Sequence, residues 1–231
     1  MKFLIVLIGI FMLVNPGNAE DSLLKTKIDK TSYAIGMDIG KNLKKQPVEL
    51  NPEAISQGLW DSYTDGKALM TEQEYIDTMT AFRNEMTQKQ TAQMKESGDR
   101  NKKEGEKYLA DNKTKEGVIT TASGLQYKEI TKGTGASPKS TDTVSVHYKG
   151  TLIDGKEFDS SYKRGQPASF PVNGVIKGWT EALQLMKVGA KWQLVIPAEL
   201  AYGERGAGQD IGPNSTLMFE VELISVEKGA N

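Results

Sequence analysis

The chain has 231 residues, 38% hydrophobic and 26% charged, enough for one large or two modest cores and unlike a disordered or fibrous composition. Lys and Arg number 29 against 30 Asp and Glu, so no global basic field draws nucleic acid as a partner. With no cysteine, a disulfide scaffold, a thiolate nucleophile, thiolate metal sites and lipid attachment through cysteine are excluded.

Met1 and Lys2 precede an apolar run over 3–14 and then Asn15, Pro16, Gly17, Asn18 and Ala19, the three regions of a secretory signal with cleavage expected after Ala19. The run is shorter than the roughly 20 residues that span a bilayer, so export of a soluble mature protein is expected over an uncleaved anchor. Residues 22–45 carry Ile28, Tyr33, Ile35, Met37, Ile39 and Leu43 in a helical pattern interrupted by Gly36 and Gly40. Each glycine weakens an exposed helix by about 1 kcal/mol relative to alanine, so the pair marks either a weak helix or a close approach of another backbone. Asn51 as N-cap and Pro52 at the first helical position start a second helix with Ile55, Leu59 and Tyr63, ending near Asp65 and Gly66. Thr71 and Glu74 form a capping box for a third helix that presents Tyr75, Met79, Phe82 and Met86 on one face. Over 87–112 apolar residues are few, which predicts a solvated continuation with Gly98 and Gly105 as weak points; 72–109 as one helix runs on the order of 55 Å. So small a helical core is commonly completed by a second copy, and a homodimer through residues 20 to about 90 is expected, with Met37, Met70, Met79 and Met86 as adaptable filling.

The period changes after the charged, glycine-ended stretch 112–117. Residues 121–130 read as a strand with Leu125 and Tyr127 facing one way, and Val144, Val146 and Tyr148 alternate with Ser145, His147 and Lys149, which turns Tyr148 inward and His147 outward. Asp154 and Gly155 are the pair of a tight hairpin leading to Phe158, Asp159, Ser160 and Ser161. Residues 175–179 pass from extended spacing at Val175 and Ile176, through Gly178, to helical spacing at Trp179, Ala182, Leu183 and Met186, closed by Gly189. Trp179 is then either ordinary core or the floor of a pocket. Trp192, Leu194 and Ile196 share a face before Pro197, and Leu217, Phe219, Val221 and Leu223 alternate with Met218, Glu220 and Glu222 in a final strand. The expected class is α+β: a helical N-terminal dimerisation region with a long connecting helix, then an antiparallel sheet wrapped on one short helix. The expected divisions are a signal at 1–19, the helical dimerisation domain at 20–70, the connecting helix at 71–112 and the sheet domain at 113–231.

Nucleophilic catalysis needs an activated side chain beside a base, and the sole histidine, His147, lies on the outward face of its strand. One histidine, no cysteine and no EF-hand spacing leave nothing to enclose a metal, and the glycines at 203, 206, 208 and 212 lack the lysine and helix of a phosphate loop. What remains is a concentration of apolar and aromatic residues in the second domain, Tyr148, Phe158, Val175, Ile176, Trp179, Tyr202 and Phe219, with a lone Asp159.

The strings at 146–150, 158–161, 175–179, 201–203 and 217–223 closely resemble the FKBP-type peptidyl-prolyl isomerases. The signal segment and helical N-terminal region further resemble the dimeric Mip (macrophage infectivity potentiator) branch of Gram-negative bacteria, so the resemblance covers the whole mature chain. It implies a half-barrel of antiparallel strands around one helix, with Trp179 as the pocket floor and Tyr148, Phe158, Val175, Ile176 and Phe219 as walls. It also implies that the Tyr202 hydroxyl and the Ile176 backbone N–H bind carbonyls of a proline-containing polypeptide or a macrolide inhibitor, that Asp159 accepts from a polar group or polarises the twisted amide, and that Arg164 pairs with Asp159. Ile211 is carried over as a further binding residue. Two departures stand out: Ala168 occupies a position where many single-domain members have an aromatic, and the loop 204–214 lacks a histidine and the first proline found there, although Ile211 and Pro213 remain.

No cofactor or metal is implied. Rotation about an X-Pro bond breaks amide resonance over a barrier of about 18–20 kcal/mol, and an apolar pocket that removes water from the carbonyl favours the less polar twisted state. The expected function is thus a prolyl isomerase acting on exported chains in the periplasm or at the outer membrane or cell surface. The alternative is a dimeric holding chaperone or host-interaction module in which isomerisation is incidental.

Overall fold

The computed structural model describes residues 23–46 and 48–229. The expected signal at 1–19 lies outside the described residues. The chain divides into two compact units, the first ending at Thr87 and the second beginning at Gln88.

In the first unit, helix α1 (Lys27–Lys44) starts at a reciprocal capping box, in which the Thr26 hydroxyl accepts from the Asp29 N–H at 3.1 Å and the Asp29 carboxylate accepts from the Thr26 N–H at 2.7 Å. Helix α2 (Pro52–Tyr63) follows Asn51, whose side-chain oxygen accepts from the N–H groups of Glu53 and Ala54 at 2.9 and 3.3 Å. Helix α3 (Glu72–Asn112) begins at the Thr71–Glu74 box, with bonds of 2.7 and 3.2 Å. The starts at Asn51 and Thr71 follow the sequence reading because caps are local, whereas the Thr26 box is seen only in the structure. No residue of α1 or α2 is buried.

The continuation of α3 departs from the solvated arm predicted for it. Gly98, Gly105 and Asn112 are buried, and Asn112 donates to the side chain of Gln126 at 2.9 Å while Gln126 donates to the Leu109 carbonyl at 2.9 Å. Amides and bare backbone make this contact, so hydrophobic periodicity does not announce it.

The second unit is built on an antiparallel sheet of seven strands: β1 (Val118–Thr120), β2 (Gln126–Thr131), β3 (Thr143–Leu152), β4 (Glu157–Ser160), β5 (Ala168–Pro171), β6 (Lys191–Ile196) and β7 (Leu217–Glu227). The order is β1-β2-β6-β7-β3-β4, with β5 also pairing with β3. The single strand expected over 121–130 is instead a hairpin: the Thr121 N–H donates to the Leu125 carbonyl, and Gly124, at φ 92°, turns the chain between β1 and β2. Helix α4 (Lys177–Leu185) packs its buried Gly178, Trp179, Ala182 and Leu183 into the core.

Strand alternation sends Val144, Val146 and Tyr148 of β3, Trp192, Leu194 and Ile196 of β6 and Leu217, Phe219, Val221 and Leu223 of β7 into one core with that helix face. Complete burial of one such aliphatic side chain contributes about 1.5–3 kcal/mol. Leu223→Ala, at a position with 0% exposure, is expected to lower unfolding free energy in urea by about 2–5 kcal/mol, and Ile224→Ala on the opposite face by roughly 0.5 kcal/mol or less.

Candidate functional site

A cavity of about 420 Å³ opens over the N-terminal end of α4, lined by Tyr148, Phe158, Asp159, Phe170, Gly174, Val175, Ile176, Trp179, Tyr202 and Phe219. Each enters for a local reason. Tyr148 and Phe219 stand on the inward faces of the paired strands β3 and β7, Phe158 and Asp159 on β4, Phe170 on β5, and Trp179 in the first turn of α4. A second depression of about 310 Å³ includes Lys128, Lys149, Gln193 and Glu220 from the outward face of the sheet, and lacks this aromatic enclosure.

Trp179 organises the floor. It is 4% exposed and meets three rings edge-on: Tyr148 at 5.2 Å and 89°, Phe219 at 5.2 Å and 79°, and Phe170 at 5.8 Å and 86°. Phe158 continues the wall through an edge-on contact with Phe219 at 5.5 Å. Positive ring edges meeting negative faces hold these planes at fixed angles, so the cavity exists before anything enters it.

The polar groups divide into those already satisfied and those left open. The Tyr148 hydroxyl donates to Asp159, Arg164 donates to Asp159 at 2.6 Å and to the Tyr148 hydroxyl at 2.8 Å, and the Ser160 N–H donates to Asp159 at 2.8 Å. Burial pushes the Asp159 carboxyl upward, but the hydrogen bonds from Tyr148 and Arg164 and the guanidinium charge outweigh it and hold the carboxyl below its ordinary value. Burial first, and then the neighbouring carboxylate, raise the Tyr148 phenol. By contrast, among the described residues neither the Tyr202 hydroxyl nor the Ile176 backbone N–H meets an acceptor. Besides the Trp179 indole N–H, which is buried without an acceptor, two open donors therefore border an apolar cavity that also holds one oriented carboxylate.

Of the residues expected at the site, Tyr148, Phe158, Asp159, Val175, Ile176, Trp179, Tyr202 and Phe219 meet around this cavity. Arg164 does not line it, but reaches it through Asp159 and stands over the Tyr148 ring at 5.4 Å. Ile211 is not brought there: it is 8% exposed, belongs to the core and pairs its backbone with Ala207. Sequence reasoning missed Phe170 and Gly174. The aromatic absent at Ala168 has a counterpart two residues on, on the same face of β5, where Phe170 meets both Tyr148 and Trp179. Alternation within 168–171 is its signal, too short to read alone. Ser161 was missed as well: its fully buried hydroxyl accepts from the Tyr148 N–H at 2.8 Å, and it lies 3.0 Å from His147 Nδ1, so the lone histidine is engaged behind the site. Among the described residues there is no group of three or more His, Cys, Asp or Glu arranged to hold a metal ion.

The chain is similar to known proteins over most of its length. The family described as FKBP-type peptidyl-prolyl cis-trans isomerase matches residues 135–224, and the domain amino terminal to FKBP-type peptidyl-prolyl isomerase matches residues 28–128. The chain is 45% identical over 224 residues to the outer membrane protein MIP of Legionella longbeachae, covering 97% of this chain and 96% of that one. It is 46% identical over 205 residues to the peptidyl-prolyl cis-trans isomerase Mip of Coxiella burnetii, covering 89% of each. The crystal structure of FkpA from Escherichia coli superposes with a TM-score of 0.69 at 40% identity, covering 89% of this chain and 99% of that one.

Because the folded Asp159 carboxyl titrates below its unfolded value, its stabilising contribution is fully present above the unfolded pKa of about 3.9 and is lost as pH falls through the lower folded pKa. The stability difference between the parent and Asp159→Asn, measured by urea unfolding, is expected to stay constant over pH 6–8 and to shrink below about pH 4.

Proposed function

We propose that this chain, which belongs to the family of FKBP-type peptidyl-prolyl cis-trans isomerases, accelerates X-Pro rotation by desolvating and gripping a twisted amide, with no covalent intermediate. The observation that carries the reading is the pairing of an aromatic-floored cavity with two donors that lack internal acceptors, Tyr202 and the Ile176 N–H.

The proline ring rests on Trp179 between Tyr148, Phe158, Val175 and Phe219. Planar amide resonance puts charge on the carbonyl oxygen; twisting removes it and leaves a more pyramidal nitrogen. A carbonyl moved from water into this cavity loses hydrogen bonds that favour the planar form, which lowers the barrier to twisting. A donor aimed at the rotating carbonyl would stabilise the ground state, so Tyr202 and Ile176 serve best on the neighbouring carbonyls, fixing one side of the chain while the other turns. Asp159, held ionised by Tyr148 and Arg164, accepts from a polar group of the substrate or polarises the twisted amide. Macrolide inhibitors that present carbonyls to the same donors fit the same cavity.

The reading of the whole chain is a signal at 1–19, a dimerisation domain at 20–70, a connecting helix at 71–112 whose residues from Gly98 onward pack against Gln126 and the 213–216 segment, and an isomerase domain at 113–231. Export to the periplasm or outer-membrane surface rests on the residues at 1–19 and on the relatives' origin in Gram-negative bacteria; no helix among the described residues is long and apolar enough to cross a membrane. A second copy as the occupant of the first unit's apolar face is supported by the exposure of Leu59, Trp60 and Tyr63 at 58%, 66% and 86%, and by a groove of about 500 Å³ that includes Ile39, Leu43, Ile55 and Leu59.

A protease-coupled assay on a proline peptide, with and without a macrolide, tests the activity. Tyr202→Phe and Asp159→Ala are each expected to lower kcat/KM by about fivefold or more, the factor that one hydrogen bond of about 1 kcal/mol supplies, with far-ultraviolet dichroism unchanged. Parent-like rates in both variants would remove these assignments. Equilibrium sedimentation is expected to give a dimer at micromolar concentration for the parent and a monomer for Leu59→Asp, which should isomerise the short peptide at the parent rate.

A further inference from the structure

Tyr202 immediately precedes a loop whose far end is held by the long helix. Gly98 and Gly105 are seven residues apart on α3, about two turns, and Asn101 falls on the same stripe. A Cβ on Gly98 would lie 3.1 Å from Pro213 Cβ, and one on Gly105 would lie 2.3 Å from Thr216 Oγ1, in a side chain only 4% exposed. Asn101 donates to the Pro213 carbonyl at 2.8 Å and to the Ser215 hydroxyl at 3.4 Å.

Asn214 joins the two sides. Its side-chain amide donates to the Gly98 carbonyl at 3.4 Å, while its backbone N–H donates to the carbonyl of Gly203, the residue directly after Tyr202, at 2.8 Å. Its φ of 55° lies in the left-handed region, which asparagine tolerates better than most side chains. Ala207 and Ile211 exchange backbone bonds of 2.8 and 3.1 Å inside the loop, so displacement at its base is passed along it instead of being absorbed by slack chain. Glycine weakens a helix relative to alanine, and a polar helix has little hydrophobic reason to dock; close approach accounts for glycine at both contact points.

We infer that Gly98, Asn101, Gly105 and Asn214 are positioning residues of the isomerase site, through which α3 holds the 203–214 loop and with it the Tyr202 hydroxyl. The inference rests on the donor role proposed for Tyr202. In the full chain, Gly105→Ala drives Thr216 aside, so amide hydrogen exchange over 203–212 should quicken and kcat/KM on a proline-containing tetrapeptide should fall about fivefold, the factor one hydrogen bond supplies. Adding Thr216→Ala, which removes the obstructing hydroxyl, should recover most of the loss. Asn214→Asp, which also tolerates the left-handed backbone, removes the amide donor to the Gly98 carbonyl without adding backbone freedom, so it should quicken the same amides. In a Tyr202→Phe background neither substitution should lower kcat/KM further, because the group they position is already gone. Unchanged exchange in both variants, or losses that add in full to that of Tyr202→Phe, overturns the inference. A Tyr202→Phe chain as active as the parent removes the donor role instead, and loop exchange then still decides whether the helix holds the loop.

Discussion

Everything at the pocket depends on one indole being buried in the first turn of a nine-residue helix, with three aromatic rings standing edge-on to it. Each such ring pair contributes about 0.5–1.5 kcal/mol beyond its buried area and, more usefully, fixes an angle. The sheet register supplies the partners: Gly150 of β3 lies opposite Phe219 of β7, and a Cβ there would sit 2.6 Å from the Phe158 ring. A single missing side chain lets two aromatic walls close over the floor from the strands on either side of β3.

A cavity this apolar tolerates a carboxylate only at its rim and only when engaged. Asp159 satisfies that condition through Tyr148, Arg164 and the Ser160 N–H. The result is a carboxylate held in place at the cavity wall, beside the Tyr202 hydroxyl and the Ile176 N–H, which meet no acceptor among the described residues. His147, the residue that nucleophilic chemistry would need, is stacked on Tyr162 and hydrogen-bonded to Ser161 instead. The division of polar groups suits a reaction in which a bond rotates and none is broken.

The two units differ in how far each satisfies itself. The second closes a core of fully buried aliphatic residues between sheet and helix, whereas α1 and α2 bury no residue. Short amphipathic helices of this kind have apolar faces but too little surface of their own to cover them, which is the physical ground for expecting a second copy.

The sequence by itself determined whatever local rules decide. Asn51 and Thr71 announced helix starts, alternation assigned the inward faces of β3, β6 and β7, and the change of period at 175–179 marked the helix start at Trp179, which only the family resemblance made a pocket floor. Its motifs also brought most of the lining residues together, because those residues sit on strongly patterned elements. What only the tertiary structure decided involves segments too short or too polar to carry a period. Phe170 stands on a four-residue strand, and Ile211, carried over as a further binding residue, is not among the residues that line the cavity. Gly98 and Gly105 looked like weak points in a solvated rod, yet they are where the helix meets the 213–216 segment so closely that a Cβ would crowd Pro213 at the first and force Thr216 to shift at the second. Close approach is a property of two surfaces, and a glycine in one sequence stretch names neither its partner nor its purpose.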